Sequence, residues 1–158
     1  MTQTTFQGFI HDRYFEDYRV GESYEFGPIC IDKNDIIDFA EKYDPQVMHV
    51  DATKSEQGPY GGLIASGWHT VSMLMRLYVD HYLSAVGSLA SPGVNELRWH
   101  RPVRPGDCLK LRVSVLNSQP SRSKADRGLV VSYLEGVNQN QEVVCTMQAM
   151  NLLMKRPG

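Results

Sequence analysis

A carboxylic acid and an imidazole stand five positions apart in the stretch Tyr43 to Asp51, which reads YDPQVMHVD. An amphipathic run reaches Tyr43, and Pro45 disfavours helical backbone at the residue before it, so Asp44 is expected where the chain leaves a helix. If the next residues curl back, His49 approaches the same point. An anionic acceptor would then lie beside a ring of the kind that gains or loses a proton near neutral pH. Such a pair can activate one water molecule. A second element bears on the same chemistry: Ser66 and Gly67 open a long apolar run, and the first turn of a helix exposes N–H groups carrying about half a positive charge. Glycine at that point would let a substrate oxygen come close.

The elements that must position these groups follow from periodicity. Asp32 reads as an N-cap with Asp35 three positions on, and Ile36, Phe39, Ala40 and Tyr43 recur at helical spacing. Asp51 to Gln57 is expected to form a short helical turn, and GPYGGLIASG a sharp bend. The spacing predicts a long helix over Ser66 to Val86. Trp68, Val71, Leu74, Met75, Tyr78, Tyr82 and Leu83 would be buried, leaving His69, Ser72, Arg76, Asp80 and Ser84 as a narrow polar stripe. A first strand is expected over Tyr24 to Ile31. From Val94 the period becomes two: Leu97 and Trp99 oppose Glu96, Arg98 and His100; Leu109 to Val115 alternate; and Val143, Cys145, Met147 and Ala149 alternate. Arg101 to Asp107 is a Pro/Gly connection, Pro120 to Gly128 a loop, and Asn138 to Gln141 a hairpin turn between Leu129 to Val137 and Glu142 to Met154. The sum is an α+β domain in which an antiparallel sheet wraps one central helix, the hotdog arrangement. One domain over 1–158 is expected, with 1–12 as a loose arm. Open sheet edges favour a homodimer or a higher homo-oligomer.

Composition limits the partners. Of 158 residues, 42% are hydrophobic and 22% charged, and a formal charge of −2 argues against nucleic acid or an anionic membrane as a partner. Cys30, Cys108 and Cys145 are far apart and show no metal-ligand spacing, so reduced core thiols in a cytoplasmic protein are expected, with no metal and no cofactor. The first residues, MTQTTFQGF, lack the basic start and apolar run of a signal peptide, and no uncharged stretch has transmembrane length.

Taken in order, YFEDYRVG, FAEKYDPQVMHVD, GGLIASGWHT, RPVRPGD and the final strands resemble the MaoC-like hydratase/dehydratase family, whose members include R-specific enoyl-CoA hydratases of hotdog fold. The resemblance covers most of the chain. It implies that Asp44 and His49 hold a water between them, the carboxylate acting as base while hydroxide adds to the β-carbon of a trans-2-enoyl-CoA and the imidazole helps deliver the α-proton. It implies that the Gly67 N–H, with Ser66 beside it, receives the thioester oxygen. Two departures stand out. Val47 replaces the usual proline two residues before the histidine, and Met75 occupies the helix position where many short hydratases carry a site serine. Arg98, Arg101, Arg104, Arg122 and Lys124 are candidates for the coenzyme A phosphates, and Arg76 for a second carboxylate on the acyl group. An acyl-CoA thioesterase of the same fold and a non-catalytic acyl-thioester binding protein are the alternatives.

Overall fold

Arg156, near the end of the chain, ties down the first segment that the computed structural model describes. Its guanidinium donates to Asp12 Oδ1 at 2.7 Å and to Asp17 Oδ2 at 3.0 Å, holding two short 3-10 turns at Ile10–Asp12 and Phe15–Asp17. The structure describes residues 10–158. The expected loose arm over 1–12 therefore falls mainly outside the described residues, and its last three positions are ordered by this contact.

Five antiparallel strands follow: β1 (Ser23–Cys30), β2 (Gly93–Trp99), β3 (Cys108–Pro120), β4 (Arg127–Val137) and β5 (Val143–Met154). They lie in the order β1-β3-β4-β5-β2, so β1 and β2 are the edges. Between β1 and β2 come α1 (Lys33–Tyr43), α2 (Val47–Val50), α3 (Ala52–Glu56) and α4 (Gly67–His81). Helix α1 starts as its sequence requires: Asp35 N–H donates to Asp32 Oδ1 at 2.8 Å, and the Asp35 carboxylate accepts from the Asp32 N–H in return.

Helix α4 fills the concave face of the sheet, giving the expected α+β hotdog fold. Alternation along the strands brings Leu109, Leu111, Val113, Val130, Leu134, Met147 and Leu153 onto the helix side, all buried with Met73, Leu74, Leu77 and Tyr78 of α4. The closest approach is made possible by Gly136 on β4, where a Cβ would come within 2.8 Å of a Leu74 methyl group. Two details of α4 differ from the periodicity reading. The helix stops at His81 because the buried Arg13 donates from Nη1 to the carbonyls of His81 (2.8 Å) and Tyr82 (2.7 Å), and Tyr18 donates its hydroxyl to the Tyr82 carbonyl at 2.8 Å. These donors satisfy the last turn and let the chain turn away. The buried face is also rotated: Thr70, Met73 and Leu77 point inward, whereas Trp68, Met75 and Val79 are about half exposed.

The cysteines are corrected as well. Cys30 and Cys108 are direct cross-strand partners at the end of the β1/β3 ladder and form a disulfide, while Cys145 stays a buried free thiol. Long separation along the chain concealed a pairing set by strand register. No helix among the described residues is long and apolar enough to cross a membrane.

Leu74 has no exposed surface, and its seat on the Gly136 backbone cannot be refilled by a neighbouring side chain without moving the helix. Leu74→Ala is expected to cost about 2–5 kcal/mol, lowering the thermal unfolding midpoint by roughly 5–15 °C; a melting curve checks it.

Candidate active site

The helix α1 ends at Asp44, whose N–H caps the Ala40 carbonyl at 2.8 Å while its own backbone leaves the helical region at φ −153° and ψ 67°. Gln46 then opens the one-turn helix α2, which carries His49 back toward the end of α1. The His49 Nε2 lies 3.4 Å from Asp44 Oδ2. Val47 occupies the first position of α2, where a backbone N–H has no intrahelical acceptor in any case, so losing the family's proline costs no hydrogen bond. Its carbonyl accepts from Ser55 Oγ at 3.1 Å, which fastens α3 beneath the turn.

Each functional group is oriented by a specific donor or acceptor. His49 is 6% exposed, and its Nδ1 lies 2.7 Å from the Ile64 carbonyl, which can only accept. Nδ1 therefore carries the proton, and in the neutral ring Nε2 turns a lone pair toward Asp44. Asp44 Oδ1 accepts from Gln46 Nε2 and Asp44 Oδ2 from Ser66 Oγ, both at 2.7 Å. These bonds, Gln46 first and Ser66 second, together with attraction to His49, hold the Asp44 carboxyl below the usual carboxylate range against the opposing effect of partial burial.

Ser66 was expected to face substrate. Instead it is fully buried as the N-cap of α4, and its hydroxyl is committed to Asp44. Gly67 follows it and lines a cavity of about 390 Å³ together with Asp44, His49, Thr70, Trp99 and Arg101. The lack of a side chain at Gly67 serves a neighbour directly: a Cβ there would lie 2.5 Å from the Trp99 ring, and the indole Nε1 donates to the Gly67 carbonyl at 2.9 Å. Met75 does not join this group; it lines a second cavity. Of the five cationic candidates for coenzyme A, only Arg101 and Arg104 are placed near the opening. Arg101 lines the cavity and pairs with Glu142 at 2.8 Å, and Arg104 donates to the Tyr60 carbonyl at 2.6 Å. Arg76 pairs with Asp80 at 2.9 Å on the outer surface and lines neither cavity, which removes it as the partner of a buried carboxylate. His69 and Ser72 do not pair with Arg76 or Asp80 either. His69 stacks on Phe39 with ring centroids 4.5 Å apart, and Ser72 donates to the Trp68 carbonyl at 2.8 Å. Among the described residues, no group of His, Cys, Asp and Glu side chains is arranged to hold a metal ion.

Gln46 and Trp99 were not anticipated. Gln46 could have been found as a polar side chain inside the acid-to-histidine turn. Trp99 could not: a bulge in β2 between Asn95 and Arg98, with Glu96 at φ 53°, breaks the alternation that was to bury it beside Leu97.

The sequence model of the MaoC like domain matches residues 16–138. The chain belongs to the MaoC-like dehydratase family. It is 31% identical over 141 residues to the uncharacterized protein YdeM of Bacillus subtilis, spanning 89% of this chain and 98% of that one. It is 32% identical over 74 residues to 3-hydroxyacyl-thioester dehydratase Z of Mycobacterium tuberculosis, covering 46% of this chain and 49% of that protein. The MaoC-like dehydratase of Rhodospirillum rubrum superposes with a TM-score of 0.85 at 36% identity, over 92% of this chain and 99% of that one. Membership of the family supports a hydro-lyase of the hydratase/dehydratase type.

Ser66→Ala would remove one of the two hydrogen bonds that favour ionised Asp44. The Asp44 pKa then rises, so the carboxylate takes up its proton at a higher pH as acid is added. We expect the Asp44 side-chain carboxyl resonance, followed by NMR against pH, to titrate at a higher pH than in wild type, and the plateau of kcat/KM to fall by about tenfold, the worth of one charge-assisted hydrogen bond.

Proposed function

We propose that the protein reversibly hydrates a trans-2-enoyl-CoA to a 3-hydroxyacyl-CoA, or dehydrates the latter, with Asp44 and His49 holding the reacting water and the Gly67 N–H receiving the thioester oxygen. The observation that carries this reading is the 3.4 Å separation of Asp44 Oδ2 and His49 Nε2 in one cavity with the first turn of α4. Two acceptors at that distance, each fixed by its own partner, suit a water that donates to both.

Hydrogen bonding assigns the roles. Both carboxylate oxygens of Asp44 already accept a hydrogen bond, whereas the His49 tautomer fixed by the Ile64 carbonyl keeps its Nε2 lone pair free, so Nε2 takes the proton in this reading, in place of the carboxylate that the resemblance implied. The water oxygen bonds to the β-carbon as its proton passes to His49 Nε2, and the C=C electron pair moves toward the thioester oxygen. Asp44 stabilises the imidazolium that forms. The enolate-like oxygen is held by the Gly67 N–H, an interaction worth about 3 kcal/mol, or roughly a hundredfold, when the site is dry. Nε2 then returns its proton to the α-carbon, leaving the enzyme unchanged. Dehydration is the same path reversed. Arg101, which lines the cavity, and Arg104, bonded to the carbonyl of the lining Tyr60, are the side chains that would meet the phosphates of the carrier in this reading.

The same reading includes a homodimer. The edge strand β2 and the outer face of α4 expose Trp68, Met75, Val79, Val94 and Trp99, apolar side chains that a second copy of the chain would cover.

Asp44→Asn and His49→Ala are each expected to lower hydration of crotonyl-CoA by two or more orders of magnitude while the melting profile shows a folded protein. Loss of enoyl absorbance measures the reaction, and a parallel thiol-release assay measures hydrolysis. Wild-type rates in both variants would refute the assignment, and thiol release without hydration would make the protein a thioesterase.

A further inference from the structure

A second cavity of about 390 Å³ lies between α4 and the strands β2, β4 and β5, and its walls are mainly Val71, Met75, Val94, Leu134 and Met147. Ser72, Ser91, Tyr78 and Asn151 add polar atoms to these walls, and of these Asn151 is the one amide. Asn151, 6% exposed, lies on the inward face of β5 in series with Met147, Ala149 and Leu153. Its Oδ1 accepts from the Tyr78 hydroxyl at 2.5 Å, and its amide makes no other hydrogen bond among the described residues. Asn151 lines the cavity, so its amide donors are available to a polar group of a bound ligand. Among the described residues, no Lys, Arg, His, Asp or Glu lines the cavity. A carboxylate brought there would be desolvated without a counter-charge, whereas a hydroxyl, ether or ester oxygen would satisfy the amide at no such cost.

Helix α4 serves both cavities. Gly67 lines the first, and Val71, Met75 and Tyr78 line the second. The axial distance from Gly67 to Tyr78 is roughly 16 Å at the helical rise, beyond the reach of a four-carbon acyl group and within that of a medium-length chain. We propose that the second cavity receives the far part of the acyl chain, and that Asn151 makes the enzyme selective for medium-chain enoyl thioesters carrying an uncharged oxygen acceptor near the end of the chain. This rests on the hydratase reading above and adds the class of substrate.

The test uses the full-length protein and three enoyl-CoA esters of equal medium chain length, ending in methyl, hydroxymethyl or carboxylate, with crotonyl-CoA as the short control. For wild type, kcat/KM for the hydroxyl-ended ester should exceed that for the methyl-ended one by about five- to tenfold, the range of one neutral hydrogen bond, and the carboxylate-ended ester should be the poorest. Asn151→Leu should reverse the first preference. Met75→Trp, which narrows the cavity from its open side, should lower the medium-chain to crotonyl ratio and serves if Asn151→Leu fails to fold. A wild type that hydrates crotonyl-CoA but shows no preference among the three, or that prefers the carboxylate, overturns this inference and leaves the hydratase reading standing. A wild type that hydrates none of the four overturns the hydratase reading itself. If Met75→Trp folds and leaves the medium-chain to crotonyl ratio unchanged, the acyl chain does not enter this cavity and the inference is wrong.

Discussion

The hydrogen bond from Ser66 to Asp44 joins the end of α1 to the start of α4, beside the stacking of Phe39 on His69. It sets the ionisation of the acid, and it fixes the distance between that acid and the free N–H groups of the α4 first turn. Both ends are buttressed. Asp44 is the last residue held by α1, and Ser66 is locked because the Ala65 N–H donates to the Val103 carbonyl at 2.8 Å while the Ile64 N–H donates to the Met48 carbonyl at 3.0 Å. The segment before α4 is thereby laced to α2 on one side and to the β2–β3 connection on the other. His49 gains its orientation from the same segment, through the Ile64 carbonyl.

This lacing makes the site depend on the seat of α4. Water-activating geometry tolerates little displacement, and α4 is held against the sheet by Leu74 over Gly136 and at its far end by Arg13 and Tyr18. Arg13 acts as a cap supplied from outside the helix, which is why a helix that sequence periodicity would extend stops at His81. Rotation of the buried face turns Trp68, Met75 and Val79 outward.

The polar groups within the fold fall into two kinds. Most are matched, as Ser132 is by Tyr82 at 2.8 Å and Ser84 by the Arg13 carbonyl. Asn151 is only half matched. On the inward face of β5, between Ala149 and Leu153, an amide breaks the local pattern, and departures of that kind concentrate at functional positions. Two residues beyond Ala149 the same alternation puts Asn151, a polar residue, at a core position.

The sequence by itself determined what neighbouring residues decide among themselves. Pro45 ends a helix at Asp44, five residues return His49 to it, Asp32 and Asp35 cap α1, and the period-two strands select an antiparallel sheet around the one helix apolar enough to fill it. Those outcomes depend on backbone preferences and on which side of an element is greasy, and both are written locally. Tertiary structure decided which distant positions touch. Ser66 meets Asp44 rather than a substrate, Trp99 covers Gly67 because a bulge turns it, Cys30 faces Cys108 through strand register, and Asn151 meets Tyr78 across the core. Such contacts are fixed by register, helix rotation and close packing summed over the whole fold. A one-residue shift in any of these would exchange the partners without altering the pattern along the chain.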